Sequence, residues 1–166
     1  MTIRIEPIQN SPHADAALEA LLHESYVDAG FTAPDIAETM FRASAVRSRG
    51  VVLAACDRTG AMLGTLTLVT PDSPAKRLAG AHEVEFHLLC VRHDARGNGI
   101  GRALVEAALT RAETMGARGV VLWTQPAMDD AQRLYERCGF RRDPGADFSR
   151  DQRRFLVYRR ALAPVV

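Results

Sequence analysis

The first part of the chain alternates between strand-like and helix-like patterns of apolar residues. Isoleucines alternate with polar residues over 2–8, which predicts a strand. Apolar residues then recur at helical spacing up to Gly30, at Leu18, Leu21, Leu22 and Tyr26. Thr32 and Pro34 can cap and open a second short helix. The predicted order of elements therefore begins with one strand and two helices.

Three further strands are predicted before the middle of the chain. The apolar runs 51–56 and 62–69 are joined by the turn-forming residues 57–60, which indicates an antiparallel hairpin. The stretch 71–80 contains prolines among polar residues and is expected to be a loop. The next strand is expected over 83–91, and it carries charged residues that need an explanation.

The second half repeats a helix and strand pattern twice. Apolar spacing over 100–115 predicts a helix, and the short apolar run 120–123 after it predicts a buried strand, which together with the strand before them makes a βαβ unit. A second helical stripe covers 131–138, and 155–158 offers the last strand. Each of the two helices is followed by a glycine that can end it.

This order predicts one α/β domain over residues 1–166. We expect a mixed central sheet of six to seven strands, antiparallel early and parallel around the βαβ unit, with helices on both faces. The chain has 166 residues, of which 47% are hydrophobic and 25% charged, so it can bury such a core without disulfides or structural metals.

Charge and cysteine content narrow the class of protein. A net charge of +1 does not suit the strongly basic surface of non-specific nucleic-acid binders. Cys56, Cys90 and Cys138 are odd in number and lie among apolar residues, which indicates small core side chains in a reducing compartment. Residues 1–30 hold no apolar run long enough for a signal peptide or a membrane span. We therefore expect a cytoplasmic protein that binds neither nucleic acid nor membranes.

A glycine-rich segment lies where the helix at 100–115 is expected to begin. Free amides at a helix N-terminus favour an anion such as a pyrophosphate, and glycines let the backbone approach it closely. The segment is not a nucleotide P-loop, and Arg102 stands where a dinucleotide fingerprint needs its third glycine. A strand-to-helix turn with a purely geometric role is the alternative. The segment consists of Arg96, Gly97, Asn98, Gly99, Ile100 and Gly101.

With its neighbours, this segment resembles the acetyl-CoA motif of the GNAT superfamily of acyl-CoA-dependent N-acetyltransferases. The resemblance runs from Leu89 to Leu104, and residues 131–140 resemble the second motif of that family. It implies the family fold, an acetyltransferase activity and acetyl-CoA as co-substrate. Residues 1–80 and 141–166 resemble the family only in the pattern of elements.

The resemblance also implies how the cofactor would be held. In the family, the strand before the glycine segment diverges from its parallel neighbour and pairs its backbone with the pantetheine arm, here through Leu89 and Val91. Amides of the loop would hold the pyrophosphate, and an amide near Leu89 would polarise the acetyl carbonyl. The implied cofactor-binding residues are Leu89, Cys90, Val91, Arg96, Gly97, Asn98, Gly99, Ile100, Gly101 and Arg102.

Acetyl transfer to an amine needs a base for the ammonium proton and an acid for the departing thiolate. Glu83, Glu85 and His87 share one face of the strand at 83–91, because side chains alternate along a strand. A carboxylate among apolar residues is costly to bury unless it is hydrogen-bonded or catalytic. Glu85 also lies where many members of the family carry an acidic residue. We expect Glu85 to be the base, acting through water, with His87 as the next candidate and Glu83 as a solvated strand end.

Tyr135 is the expected acid. It matches the family tyrosine whose hydroxyl approaches the coenzyme sulfur, and a core aromatic is the alternative. Seven residues earlier, Met128 replaces the asparagine with which many members of the family contact the cofactor. Asp129 or Asp130 is expected to cap the helix that follows.

The sequence therefore predicts an N-acetyltransferase that moves an acetyl group from acetyl-CoA to a primary amine of a small molecule or peptide by direct attack. A non-catalytic acetyl-CoA-binding regulatory module and a protein lysine or N-terminal acetyltransferase are the alternatives. The regions 24–45 and 143–155 would select the acceptor, and no motif in them names it. The arginine-rich C-terminal region is expected to be solvated, with an acidic substrate or homodimer contacts as rival roles. No motif for a serine nucleophile or a metal site occurs.

Overall fold

Eight strands form one mixed sheet in the computed structural model, which describes residues 1–164. The strands lie in the order β1-β2-β3-β4-β5-β8-β6, and β7 pairs with the beginning of β8. In this part of the chain, only β4 and β5 run parallel. The strands are β1 (Arg4–Pro7), β2 (Gly50–Cys56), β3 (Met62–Val69), β4 (Glu83–Val91), β5 (Gly119–Thr124), β6 (Arg141–Arg142), β7 (Phe148–Arg150) and β8 (Arg153–Ala161).

Helices cover both faces of the sheet. Leu53 and Ala55 of β2 belong to a core cluster with the fourth and fifth helices, whereas Val52 belongs to a cluster with the first three. Since neighbouring residues of a strand face opposite ways, the two clusters lie on opposite faces. The helices are α1 (Pro12–Leu22), α2 (Pro34–Met40), α3 (Ala43–Arg47), α4 (Ile100–Thr114) and α5 (Asp129–Arg137), and a π-helical segment, His23–Asp28, continues α1.

The predicted α/β fold with a mixed sheet is confirmed, and two short strands, β6 and β7, bring the number of strands to eight. Two expected helix caps are wrong. Thr32 does not cap α2, because the N-cap of that helix is Ala33, which makes no side-chain cap hydrogen bond. Neither Asp129 nor Asp130 caps α5, because the helix begins at Asp129 and its N-cap is Met128, which makes no side-chain cap hydrogen bond. Both carboxylates lie in the first turn instead, where the helix dipole favours negative charge.

The pairing of β4 with β5 covers only the first three residues of β4. It runs from Glu83 opposite Gly119 to Glu85 opposite Val121, and beyond that point the two strands are not paired. On its other edge β4 has a bulge, because its register with β3 shifts by one residue around Leu88, which has a φ of 56°. The second half of β4 therefore has an open edge toward β5, as the family resemblance implied.

The three cysteines are free, and Cys90 and Cys138 are buried. Burial raises the pKa of Cys90 to about 12. The thiol therefore stays protonated at neutral pH, and the prediction of cysteines as core side chains is confirmed for these two. Within residues 1–164, no helix combines the length and the apolar character that a membrane span requires.

Candidate active site

Two cavities meet at the bulge of β4. One has a volume of about 800 Å³ and is lined by the glycine segment and the start of α5, and we call it the glycine groove. The other has a volume of about 360 Å³ and is lined by seven phenylalanine, tyrosine and tryptophan side chains, and we call it the aromatic cavity. Their shared wall consists of Tyr26, Phe31, Leu89 and Met128.

The glycine groove contains nearly all the residues predicted to bind the cofactor. Asn98 is the exception, since its Nδ2 donates to the carbonyl oxygens of Ala95 (3.0 Å) and Arg96 (3.3 Å) and so stabilises the loop itself. The predicted residues that line the groove are Leu89, Cys90, Val91, Arg96, Gly97, Gly99, Ile100, Gly101 and Arg102.

Three glycines give this loop its shape. Gly97 and Gly99 have φ values of 78° and 77°, a left-handed conformation that other residues rarely adopt. Gly99 is also the N-cap of α4 and supplies no side-chain cap, so the first amides of the helix remain available to an anion. A Cβ on Gly101 would lie 3.1 Å from Leu134, so this glycine lets α4 approach α5 closely.

The groove also contains two arginines of α5 that the sequence analysis gave no role. Arg133 and Arg137, one turn apart, line it together with Asp129 and Asp130. Arg133 pairs with Asp130 at 2.8 Å. Arg133 and Arg137 are four residues apart, a spacing that places two side chains on the same face of a helix.

The aromatic cavity draws its walls from segments that are distant in the sequence. The regions 24–45 and 143–155, expected to select an acceptor, both contribute to it. The loop between β3 and β4 contributes residues 74–77, which the sequence pattern had identified only as a connection. The acceptor-side residues therefore could not be identified from a single contiguous motif.

Glu85 is fully buried behind this cavity and does not line it. Its carboxylate accepts hydrogen bonds from the amides of Arg77 (2.5 Å) and Leu78 (3.0 Å), and it lies 3.5 Å from Nε2 of His87. Burial acts to raise the pKa of Glu85, but His87 and the two amides outweigh it, and the net pKa is lowered. Glu85 therefore stays ionised and fastens the 70–82 loop to β4.

His87 lines the aromatic cavity, with its ring centroid 4.4 Å from that of Trp123. Its Nδ1 lies 3.2 Å from Nη1 of Arg49. Because a guanidinium can only donate, Nδ1 is assigned as the acceptor, and the proton then lies on Nε2, which faces Glu85. Burial lowers the pKa of His87, as do the charges of Arg49 and Arg150, although Glu85 opposes them. The imidazole is therefore neutral at pH 7.

Tyr135 also lines the aromatic cavity, and its ring packs 5.9 Å from that of Phe86. Within residues 1–164, no protein group hydrogen-bonds to its hydroxyl. Burial raises the pKa of Tyr135 far above the ordinary value for a tyrosine. The hydroxyl keeps its proton at neutral pH and can donate it to a hydrogen bond.

Glu83, the third residue predicted on this face of β4, lies away from Glu85 and His87 at the start of the strand. Glu83 forms an ion pair with Arg159 of β8, and its side chain is half-buried. The expectation of a solvated strand end is wrong, because β8 brings a guanidinium over the start of β4. Glu83 lines neither cavity.

Tyr26 is a site residue that the sequence pattern did not reveal. It lies in the π-helical segment His23–Asp28, and its hydroxyl donates to the carbonyl oxygen of Leu89 at 2.8 Å. This bond joins the helical region to the bulged part of β4. The helical spacing of the sequence placed Tyr26 on an apolar face but carried no sign of its polar contact.

Comparison with known proteins agrees with this geometry. Residues 16–140 match the model of the acetyltransferase (GNAT) family. A segment of 88 residues is 39% identical to a mycothiol acetyltransferase from Cellulomonas flavigena, covering 52% of this chain and 25% of that protein. The chain thus matches only about a quarter of the length of that curated relative.

Solved structures share the fold over nearly the whole chain. A GNAT-family acetyltransferase from Staphylococcus aureus superposes with a TM-score of 0.77 at 16% identity, covering 98% of this chain and 100% of that one. An acetyltransferase from Bacillus subtilis in complex with CoA superposes with a TM-score of 0.70 at 19% identity, with the same coverage.

Proposed function

Because the chain belongs to the acetyltransferase (GNAT) family, we propose that it is an N-acetyltransferase that transfers the acetyl group of acetyl-CoA to a primary amine. The observation that carries this proposal is the open edge of β4. It begins after Glu85 and leads to the glycine groove, where the loop before α4 offers unpaired amides. The amine would enter from the aromatic cavity, which shares Leu89 with that groove.

The groove fits the chemistry of acetyl-CoA. The amides after Gly97 and Gly99 would hold the pyrophosphate, since a helix N-terminus is a natural anion site. The backbone of Leu89 and Val91, on the unpaired edge of β4, would pair with the pantetheine arm. Bound there, acetyl-CoA supplies an activated acetyl thioester. An amide at the bulge near Leu89 would stabilise the negative charge that develops on the thioester oxygen.

Glu85 and His87 would act together as the proton acceptor. His87 is the member of the pair that lines the aromatic cavity, so its imidazole would receive the proton of the amine. Glu85 lies on the Nε2 side at 3.5 Å and would stabilise the imidazolium that results. This assigns to Glu85 a role through His87, where the sequence suggested one through water.

Tyr135 would donate a hydrogen bond to the departing sulfur. Its hydroxyl is protonated at neutral pH and has no competing partner among residues 1–164. The attack of the amine forms the N–C bond and breaks the C–S bond, and the sulfur leaves as a thiol. Loss of the amine proton and gain of the thiol proton keep the reaction balanced.

The size of the aromatic cavity favours a small-molecule acceptor over a protein lysine or N-terminus. A volume of about 360 Å³ lies in the range typical of small-ligand sites. The same cavity argues against a purely regulatory acetyl-CoA-binding module, because such a module has no need of a second site beside the thioester.

A direct test incubates the protein with acetyl-CoA and a pooled library of amines, and detects both free coenzyme thiol and acetylated products. We expect thiol release that depends on at least one amine, together with its acetylated form. Binding of acetyl-CoA without any amine-dependent product across a broad library would favour the regulatory module instead.

A further inference from the structure

Basic side chains dominate the charged part of the aromatic cavity. Five basic residues line it against a single acidic residue, Asp151. They come from three distant parts of the chain, namely the start of β2, the loop between β3 and β4, and the region around the β7–β8 turn. The five are Arg49, Lys76, Arg77, Arg150 and Arg153.

These charges are poorly neutralised within residues 1–164. Among the residues that the structure describes, the only ion pair that any of the five makes joins Nε of Arg150 to Oδ2 of Asp151 at 3.9 Å. Arg49 bonds to the neutral ring of His87 instead. Arg153 donates to two uncharged oxygens, the carbonyl of Gly30 and Oε1 of Gln125. The cavity therefore carries a net positive charge before any ligand enters.

Aromatic rings orient two of the guanidinium groups without neutralising them. Cζ of Arg77 lies 5.4 Å from the ring centroid of Phe148, and Cζ of Arg150 lies 5.7 Å from that of Phe155. Burial lowers the pKa of Arg49, and the charge of Arg150 lowers it further. Like charges that line one cavity cost free energy, which a bound anion would offset.

The phosphates of acetyl-CoA are not the natural partner of this cluster. None of the five residues lines the glycine groove, which has its own cations. The anion that the cluster suits therefore belongs to the acceptor. The cations of the groove are Arg96, Arg102, Arg133 and Arg137.

We propose that the acceptor is an amine that also carries a carboxylate and an apolar body, of which an apolar α-amino acid is the simplest form, and that Arg49 and Arg150 bind the carboxylate. This inference rests on the proposed function and names its substrate class. Planar guanidinium groups match a carboxylate in geometry. Ile36, Met40 and Trp123, with the other apolar walls, would hold the body of the acceptor. The amine nitrogen gains the acetyl group, and coenzyme thiol leaves.

Binding of the carboxylate would also prepare the base. The charges of Arg49 and Arg150 are among the causes that keep His87 neutral, and a carboxylate beside them would offset both. It would also draw Nη1 of Arg49 away from Nδ1 of His87, which would leave that nitrogen free to take a proton. An acceptor without a carboxylate would lack both effects.

The test compares acceptors that differ only in the carboxylate. Phenylalanine and leucine are measured against phenethylamine and isoamylamine, with kcat/KM from the release of coenzyme thiol. The same comparison is made with Arg150→Gln, whose side chain is partly exposed and whose loss should leave the fold intact. Arg141→Gln, at an exposed residue of β6 outside both cavities, is the matched control.

We expect the wild type to prefer the carboxylated acceptors and Arg150→Gln to reduce that preference by about 10- to 100-fold, the range of one charge-assisted hydrogen bond. Arg141→Gln should keep the preference. Calorimetry with 3-phenylpropionate and 3-phenylpropanamide gives a readout without turnover, and only the carboxylate should bind. If phenethylamine and isoamylamine are acetylated as efficiently as phenylalanine and leucine, the inference is wrong and the proposed function stands. If no amine is acetylated, the proposed function itself is wrong, and the inference about its substrate falls with it.

Discussion

The glycine groove and the aromatic cavity share a wall but are built in different ways. The groove is made mainly by two contiguous stretches, 89–102 and 127–137, and its predicted contacts with the cofactor come mostly from the backbone of the first. The cavity is made by side chains from the helical region, the loop at 74–77 and the β7–β8 region. The groove depends on backbone conformation, whereas the cavity depends on the identity of individual side chains.

This difference explains how one fold can keep its site for the acetyl donor while its site for the acetyl acceptor varies. Backbone amides recognise a phosphate whatever side chains surround them, provided that glycines permit the conformation. Side chains on separate loops can change one at a time without altering the sheet. Single substitutions should therefore separate the two halves of the site.

The largest effect is expected on the acceptor side. Glu85→Gln should lower turnover by about 10²–10⁴, because the imidazolium of His87 would lose its carboxylate, while acetyl-CoA affinity stays unchanged. His87→Gln should lower turnover by a factor in the same range. The measurements are steady-state thiol release and calorimetric binding of acetyl-CoA.

Glu83→Gln is the matched control, since it removes a carboxylate two residues earlier on β4, outside both cavities. It should keep the wild-type rate. Thermal unfolding must accompany these data, because the side-chain amide introduced by Glu85→Gln has one acceptor oxygen for the two loop amides that the carboxylate now binds with two. Wild-type turnover in both Glu85→Gln and His87→Gln would rule out this pair as the base.

A somewhat smaller effect is expected at Tyr135, which lines the aromatic cavity and would face the departing sulfur. Tyr135→Phe should lower turnover by about 10²–10³ through loss of a positioned proton donor. Its stability should change by no more than about 1 kcal/mol, since only a hydroxyl is removed. Tyr158→Phe is the control, because that hydroxyl lies outside both cavities. Equal rates for the two variants would assign Tyr135 a structural role only.

On the donor side, the expected loss is in binding. Acetyl-CoA at a hundred times its dissociation constant should stabilise the wild type by about 2.7 kcal/mol, and Gly99→Val should abolish that shift. Gly116→Val is a closely matched control, because Gly116 has nearly the same φ, 76°, but lines neither cavity. Both variants should carry similar backbone strain, so only the loss of ligand-induced stabilisation, read by thermal unfolding, distinguishes the groove.

The smallest effect is expected in the pH profile. The base must be neutral to act, and burial with two nearby arginines holds the pKa of His87 below 6.5. The rate at limiting acceptor should therefore persist down through pH 6.5 and then fall by about tenfold per pH unit below the folded-state pKa. The amine titrates too, so the ratio of wild type to His87→Gln isolates the histidine. A ratio independent of pH would contradict the assignment.

The lowered pKa of His87 also makes the stability of the fold depend on pH. Below pH 6.5 the unfolded chain binds a proton at His87 that the folded chain resists. The contribution of this group to stability is therefore fully present above pH 6.5 and is lost as the pH falls through the folded-state pKa.

The sequence predicted the groove far better than the cavity. The glycine segment, α4 and β4 can be predicted from the local spacing of residues, and the bounds of α4 and β4 agree closely with the prediction. The burial of Glu85 under the 70–82 loop, and the contact of His87 with Arg49, join residues far apart in the chain. No periodicity encodes such contacts, and the short strand β6 has too few residues to produce a pattern.

The shared wall has a thermodynamic consequence. Tyr26, Phe31, Leu89 and Met128 belong to both cavities, and the hydroxyl of Tyr26 ties the helical region to the carbonyl of Leu89. A ligand in one cavity therefore contacts side chains that form the other. If acetyl-CoA changes the affinity for the acceptor by some factor, the acceptor must change the affinity for acetyl-CoA by the same factor. The two binding equilibria are thus reciprocal, and the affinity measured for either ligand depends on the occupancy of the other.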